Sequence, residues 1–203
     1  MVDQHSLCQY GNSEAKTLGM TAMGQLSDKF YPLGVVLLGI TLGGALSLPG
    51  QAADADLIEK MVRDRSCINC DLSGADLRRY DLSGVNLAGA DLSDVNFFQT
   101  DLSGADLSRT DLSYAYLGET NLQRAILNSA ELHRANLTRA DFTDAYLFDT
   151  VFGEAYMEET VFVRAVLQRA DMGDVVFTSA DFSEAVLCNA ILPYGDYRYQ
   201  CRE

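Results

Sequence analysis

Residues 101–130 read DLSGADLSRTDLSYAYLGETNLQRAILNSA, with a leucine at every fifth position from Leu102 onward. The spacing continues in both directions over residues 70–192, where leucine, phenylalanine or methionine occupies this position in 25 successive five-residue units. Two residues before each large residue stands a small one, and only Tyr80 is plainly too large for that position. A period of five fits neither an α-helix nor a β-strand, so it predicts a solenoid of short repeats.

Aspartate or asparagine often stands between the small and the large residue, so the unit reads A-D/N-L-x-x. This unit resembles that of the pentapeptide-repeat proteins, and the resemblance extends over all 25 units. It implies an all-β fold: a right-handed quadrilateral β-solenoid with one pentapeptide on each side. About six coils follow from the number of units. The resemblance also implies that the large and small residues point into the core and that the other three face solvent.

A four-sided coil places residues that are 20 positions apart directly above one another, because stacked strands lie only about 4.8 Å apart. Neighbours at that distance interact directly, so each column of stacked residues should be chemically coherent. Four columns meet this condition: an all-leucine column (Leu87, Leu107, Leu127, Leu147, Leu167, Leu187), a phenylalanine column (Phe142, Phe162, Phe182), and two corner columns of alternating charge (Arg124, Asp144, Arg164, Glu184; and Glu119, Arg139, Glu159).

The composition indicates one acidic domain. The chain has 203 residues and a formal net charge of −14. From Ala53 onward it holds 26 acidic and 13 basic residues, so the acidity belongs to the repeat region. A strongly negative body argues against direct binding of nucleic acid, which requires lysine and arginine to neutralise phosphates.

Residues 1–52 are predicted to be a leader that contains a secretory signal, with an apolar core at residues 33–48. Pro49 and Gly50 interrupt the apolar run, and the small residues that follow favour cleavage after Ala52, with Ala55 as the second choice. The alternative is an uncleaved membrane anchor. The short apolar core, its glycines and Pro49 disfavour that alternative.

Both ends of the repeat region carry segments that differ from it. Residues 53–66 place apolar residues on one helical stripe, which predicts a short helix that caps the open N-terminal end of the solenoid. Residues 67–192 form the predicted solenoid, and residues 193–203 form a C-terminal tail. The tail holds three tyrosines that we expect to fold over the last coil: Tyr194, Tyr197 and Tyr199.

The chain beyond the leader keeps four cysteines, which flank opposite ends of the solenoid: Cys67, Cys70, Cys188 and Cys201. An even number in an exported protein favours disulfides, and Cys188 is a candidate to bridge the last coil to the tail through Cys201. Cys67 and Cys70 form a C-x-x-C motif. The motif lacks the βαβ context of a redox site, so a structural pair or buried thiols are favoured over thiol chemistry.

The sequence contains no pattern typical of an enzyme, a cofactor site or a metal site. His133 is the only histidine beyond the leader, and it stands at an outward position. Stacked aspartates such as Asp71, Asp91 and Asp111 could attract divalent cations. Nothing in the repeat supplies the carbonyl-rich loop that completes a calcium cage, so a solvated acidic face is expected.

On two sides of the predicted solenoid, the outward position before the large residue becomes apolar in the later coils. One side holds Ile126, Tyr146, Val166 and Val186, and the other holds Tyr116, Tyr156 and Val176. Outward aromatic and β-branched residues also simply suit strands, but together these residues are a candidate surface for a partner or for dimerisation. The candidate patch contains Tyr116, Ile126, Tyr146, Phe148, Tyr156, Val166, Val176 and Val186.

Three functional interpretations follow, and none is an enzyme in the ordinary sense. The first is a structural or protein-interaction scaffold of an exported compartment, since the signal, helix and C-x-x-C arrangement resembles the thylakoid-lumen and periplasmic members of the family in cyanobacteria and chloroplasts. The second is a DNA mimic that acts on DNA gyrase, as acidic cytoplasmic members do. The third is a thiol redox partner that acts through Cys67 and Cys70. The expected partner is a protein, and both a monomer and a homodimer remain open.

Overall fold

The computed structural model of the protein describes the backbone of residues 51–193 and the side chains of residues 55–193. The apolar core of the predicted signal, residues 33–48, and the tail residues Tyr194, Tyr197, Tyr199 and Cys201 lie outside the described residues. The regular elements are helix α1 (Gln51–Asp64) and two parallel strands, β1 (Tyr156–Glu158) and β2 (Val176–Thr178).

Most of the solenoid is built from single bridging residues instead of longer strands. Each bridging residue pairs in parallel with the residue 20 positions later, as Asp71 does with Asp91 and Asp91 with Asp111. Four such bridges occur in every coil, which confirms the four-sided register. A side has only five residues, two of which form the turn to the next side, so a long strand has no room to develop.

We number the four faces of the solenoid by their position in the first coil. Face 1 begins with residues 66–70, face 2 with 71–75, face 3 with 76–80 and face 4 with 81–85. Each face continues with the segments 20, 40, 60, 80 and 100 positions later, and faces 1 and 2 also with the segment 120 positions later. Since the chain visits the faces in order around a four-sided coil, faces 1 and 3 lie on opposite sides of the solenoid.

The core consists of the inward residues that the repeat predicts. Every large residue from Leu72 to Met172 is at most 1% exposed, and the small residues two positions earlier are also buried in most coils. The rings of Phe142 and Phe162 stack with centroids 4.9 Å apart, and those of Phe162 and Phe182 stack 5.0 Å apart. The predicted inward positions and the phenylalanine column are therefore confirmed.

Five threonines take the small inward position and bring a hydroxyl into the core. Four of these hydroxyls donate to a carbonyl of the coil below, as Thr100 does to Leu77 O at 2.6 Å and Thr120 to Phe97 O at 2.7 Å. Thr110 donates to Leu107 O of its own turn at 2.7 Å. No buried side-chain nitrogen or oxygen in the described part of the chain lacks a partner, so the threonines join coils without an unsatisfied polar group.

Many corners require a left-handed backbone conformation. Glycine supplies it at several early corners, such as Gly84 (φ 65°), but charged residues adopt it in the later coils, such as Asp144 (φ 60°) and Arg164 (φ 56°). A residue with a Cβ is disfavoured there by about 1–2 kcal/mol. The hydrogen-bonded coils above and below hold the corner in place and offset this cost.

Helix α1 lies against the N-terminal end of the core. Met61 is fully buried in the core cluster, and Leu57, Ile58 and Val62 pack against it. The helix begins two residues before the predicted segment 53–66 and ends two residues before its end. It ends where it does because Arg65 takes a left-handed conformation (φ 50°), which redirects the chain into the first coil. In the described part of the chain, no helix has the length and apolar character needed to span a bilayer.

Candidate interaction surface

An apolar column runs along the solvent side of face 1 in the later coils, and its members Ile126, Val166 and Val186 are half-buried. The bridging position of this face holds Asn86 and Asp106 in the early coils and apolar residues in the later ones. Tyr146 in this column is 51% exposed, and the neighbouring ring of Phe148 is 37% exposed. We call these residues the face 1 strip: Ile126, Tyr146, Phe148, Val166 and Val186.

A second apolar column lies on face 3, the opposite side of the solenoid. It consists of Tyr116, Tyr156 and Val176, which we call the face 3 strip, and Asn136 interrupts it. Val176 is 58% exposed. The Tyr156 hydroxyl donates to Glu158 at 3.0 Å, and this bond to a carboxylate raises the pKa of Tyr156. The two sides to which the sequence assigns the predicted patch are therefore opposite faces of the solenoid, and Phe148 lies on face 1.

Charged corner columns flank both strips. Beside face 1, Arg164 makes two hydrogen bonds to Asp144 in the coil below, at 2.7 and 2.8 Å. Beside face 3, Arg139 lies 2.8 Å from Glu159 and 3.9 Å from Glu119. The predicted alternation of charge is thus confirmed, and each apolar strip lies next to an ordered polar edge.

The stacked aspartates have a structural role that the sequence pattern did not reveal. Asp71 Oδ1 accepts the backbone N–H of Ser73 at 3.1 Å and the Ser73 hydroxyl at 2.7 Å. The same pair of bonds joins Asp81 to Ser83. An aspartate or asparagine before the large residue therefore closes the turn two residues later, which explains the abundance of these residues in the repeat.

These hydrogen bonds predict a loss of stability in acid. The Ser73 hydroxyl and N–H lower the pKa of Asp71 below 3.8, and the corresponding groups of Ser83 lower that of Asp81. A carboxyl whose pKa is lower in the folded state contributes stability above its unfolded value, and that stability is lost as the pH falls through the folded value. We therefore expect the free energy of unfolding to decrease as the pH falls below about 3.8.

The contribution of the Ser73 hydroxyl to the lowered pKa of Asp71 can be tested by NMR titration of the Asp71 carboxyl. Ser73→Ala removes the hydroxyl donor, so we expect the pKa of Asp71 to rise toward 3.8. Ser73→Thr keeps the hydroxyl and is the matched control. An unchanged pKa in Ser73→Ala would show that the hydroxyl does not stabilise the carboxylate.

The two cysteines at the N-terminal end of the solenoid form a disulfide that packs in the core. Cys67 and Cys70 are joined by a disulfide, with Cα atoms 5.5 Å apart. Cys67 takes the large inward position and is 6% exposed, while Cys70 packs against the core. Exchange with a partner thiol requires access to a sulfur atom, so this burial disfavours a redox role. Cys188 is also disulfide-bonded, and its predicted partner Cys201 lies outside the described residues.

The described residues contain no cluster of three or more histidine, cysteine, aspartate or glutamate side chains arranged to hold a metal ion. His133 packs edge-on against Tyr114, with ring centroids 6.2 Å apart.

Tyr80, which is too large for its inward position, turns outward and is 39% exposed. It lines a shallow depression of about 500 Å³ on face 3, together with Asp76, Arg78, Arg79 and Phe98.

Comparison with known families identifies the repeat. A family model described as pentapeptide repeats matches the chain with eight copies, over residues 66–104, 105–144, 145–183 and 155–193. These matches span residues 66–193, well over half of the chain. No protein with a curated description matches the chain significantly.

Several solved structures are similar to the chain. A pentapeptide repeat protein from Nostoc PCC 7120 is 29% identical, with 65% of this chain and 93% of that chain covered and a TM-score of 0.45. A pentapeptide repeat protein from the Arabidopsis thaliana thylakoid lumen is 25% identical, with coverage of 63% and 70% and a TM-score of 0.23. A plasmid-mediated fluoroquinolone resistance protein is 20% identical, with coverage of 66% and 78% and a TM-score of 0.30.

Proposed function

Because the chain belongs to the pentapeptide-repeat family, we propose that it is an exported, non-catalytic scaffold that binds other proteins through its apolar strips. Members of this family form right-handed quadrilateral β-solenoids and are in general structural or interaction proteins. The compartment that we propose is the thylakoid lumen or the periplasm.

The observation that carries this proposal is the change in the bridging column of face 1. The column begins with polar residues in the early coils and becomes Ile126, Tyr146, Val166 and Val186 in four successive coils. The repeat itself tolerates aspartate or asparagine at this position on every face. A sustained apolar column on one face therefore points to a partner that covers it.

Two features support export. The segment from Phe30 to Ala53 carries no charged residue and contains the apolar core of the predicted signal. Disulfides at Cys67, Cys70 and Cys188 suit an oxidising compartment, because the cytosol keeps thiols reduced.

Mimicry of DNA receives less support than a scaffold role. Arginines interrupt the acidic corner columns, and Asp71 and Asp81 accept hydrogen bonds within their own turns.

The experiment is recovery of the tagged protein from its source, with thiols alkylated before reduction. We expect an intact mass that corresponds to Ala53–Glu203 plus a C-terminal tag, with four protected cysteines, and a co-purifying protein in stoichiometric amount. A full-length mass with free thiols would contradict export. Binding to DNA gyrase would then become the next interaction to measure.

Charged substitutions on face 1 test the docking surface. We expect Tyr146→Glu combined with Val166→Asp to reduce recovery of the partner by about tenfold or more, because both charges would be buried in the complex. The matched control adds the same charges at the equivalent positions of faces 2 and 4, as Val151→Glu with Val161→Asp. Equal recovery with both double variants would remove face 1 as the docking surface.

A further inference from the structure

The charges that border the face 1 strip are balanced, although the chain as a whole carries −14. Over the four coils that hold the strip, the borders contain three arginines and three carboxylates. A surface without net charge is where a second acidic molecule of the same kind meets the least repulsion. The two borders are the corner columns Arg124, Asp144, Arg164, Glu184 and Ser129, Asp149, Arg169, Asn189.

We propose that the face 1 strip is a self-association surface on which a second copy of this chain packs antiparallel to the first. The two-fold axis crosses face 1 between the coil of Tyr146 and the coil of Val166. This inference rests on the proposed function only in taking face 1 as an interaction surface. It identifies the occupant of that surface as a second copy.

The order of the charges supports this arrangement. The first border reads positive, negative, positive, negative along the axis of the solenoid, so its reversed copy places an opposite charge at every level. Arg124 then lies opposite Glu184 of the second copy, and Asp144 lies opposite Arg164. The second border behaves in the same way, with Asp149 opposite Arg169. Unlike charges across an interface set its register and orientation.

The apolar residues match under the same symmetry operation. Tyr146 lies opposite Val166 of the second copy, and Ile126 lies opposite Val186. Each large or exposed side chain thus meets a smaller branched one, which suits close packing of two surfaces. The ring of Phe148 is already covered on one side by the Arg169 guanidinium, 5.3 Å from its centroid, so this part of the border is ordered before a partner arrives.

Other arrangements bring like charges together. In a parallel pair, Asp144 would lie opposite Asp149 of the second copy, and Arg164 would lie opposite Arg169. In an antiparallel pair shifted by one coil, Arg124 would lie opposite Arg164, and Asp144 would lie opposite its own counterpart. Like charges facing each other disfavour both alternatives, so the charges select one orientation and one register.

The dimer is expected to be weak. Four strands at about 4.8 Å spacing span only about 20 Å of one narrow face, so the interface lies below the roughly 800 Å² per partner of a standard complex. When face 1 is paired, the face 3 strip remains open on the outer side of each copy. The dimer would therefore present two equivalent surfaces for other proteins.

Site-specific photo-cross-linking detects such a weak pair and reads its orientation. The full chain carries p-benzoylphenylalanine in place of Ile126, and the cross-linked dimer is isolated and mapped by mass spectrometry. We expect the link in the tryptic peptide that follows Arg169, which contains Val186. Within one chain, Val186 lies three coils from Ile126, about 14 Å away, so an internal link does not reach it.

The control places p-benzoylphenylalanine at Asn121, the equivalent bridging position of face 4. A dimer yield from Ile126 that is no higher than that from Asn121 would overturn the proposal. A link in the peptide of Ile126 itself would indicate a parallel pair and would also overturn it.

A charge exchange tests the register. Arg124→Glu alone and Glu184→Arg alone each place like charges opposite one another at both ends of the symmetric interface. We expect each to lower the cross-linking yield from position 126 by about tenfold. The double variant restores the opposite charges and the yield, whereas failure to restore it would contradict the proposed register.

The outcomes separate this inference from the proposed function. If the Ile126 probe gives no dimer and the Tyr146→Glu, Val166→Asp variant loses its natural partner, self-association is refuted and face 1 remains a docking surface. If the Ile126 probe gives the dimer and that variant keeps its natural partner, self-association stands and docking of another protein on face 1 is refuted.

Discussion

Replacing Phe162 with alanine is expected to lower the free energy of unfolding by about 3–5 kcal/mol. Phe162 is the middle ring of the core stack, 4.9 Å from Phe142 and 5.0 Å from Phe182, and it also meets Phe152 edge-on at 6.0 Å. Truncation removes these contacts and leaves a cavity that neighbouring coils cannot close, because their backbones are held by hydrogen bonds on both sides.

Equilibrium denaturation in urea measures this effect, with circular dichroism as the signal. Phe162→Leu is the conservative variant, since leucine takes the same inward position of face 4 in Leu82, Leu102 and Leu122, and we expect it to cost less than half as much. Phe148→Ala removes a ring at the surface that contacts Arg169, and it serves as the surface control at about 1 kcal/mol or less. Similar losses for Phe162→Ala and Phe148→Ala would show that the stack does not dominate core stability.

Substitution of Met61 by aspartate is expected to detach helix α1 from the solenoid. Met61 is fully buried against the first coil, and a carboxylate cannot remain there without a partner. Loss of a buried methionine contact costs about 2–5 kcal/mol. The end of the core, including Leu72 and Leu77, then becomes accessible, as does a row of unpaired backbone groups that favours aggregation.

Hydrogen exchange followed by mass spectrometry locates this effect. Because each coil contacts only its neighbours, we expect faster exchange in α1 and the first coil and little change around residues 140–160. Lys60→Asp introduces an aspartate at the neighbouring, exposed position of the helix, and we expect it to alter exchange little. Uniformly faster exchange along the whole solenoid in Met61→Asp would contradict a local capping role.

The division between core and surface could be read from the sequence almost completely. A large residue every fifth position has only one way to be buried in a chain that turns every five residues. The leucine column Leu87 to Leu187 and the phenylalanine column therefore follow directly from the spacing. Both pack in the core as the repeat predicts, and Phe182 and Leu187 in the last coil are half-buried. Tyr80 is the informative exception, since the same pattern marked it as too large for its inward position and it turns outward.

The candidate surface was only partly predictable. The 20-residue register separates Tyr146 and Tyr156 onto two different sides, and the structure has them on two columns. The sequence pattern did not show which flanking charges pair beside each side, as Arg164 does with Asp144. The use of Asp71 as a turn acceptor was not evident either, because a column of aspartates reads equally as a solvated acidic face. Helix α1 begins and ends two residues earlier than predicted. Its C-terminal end depends on the left-handed conformation of Arg65, which directs the chain into the coil that follows.

The amino-acid sequence by itself determined the period, the residues of the core and the 20-residue register, because these depend on steric fit that repeats in every unit. Only the tertiary structure decided how the stacked outward side chains contact one another. The register places Arg164 above Asp144, but the two hydrogen bonds between them depend on side-chain conformations that form only when the coils are stacked one strand spacing apart. The same holds for the Arg169 guanidinium over the ring of Phe148. A surface built from such distant residues exists only when the coils are stacked, and it is this surface that carries the proposed interactions.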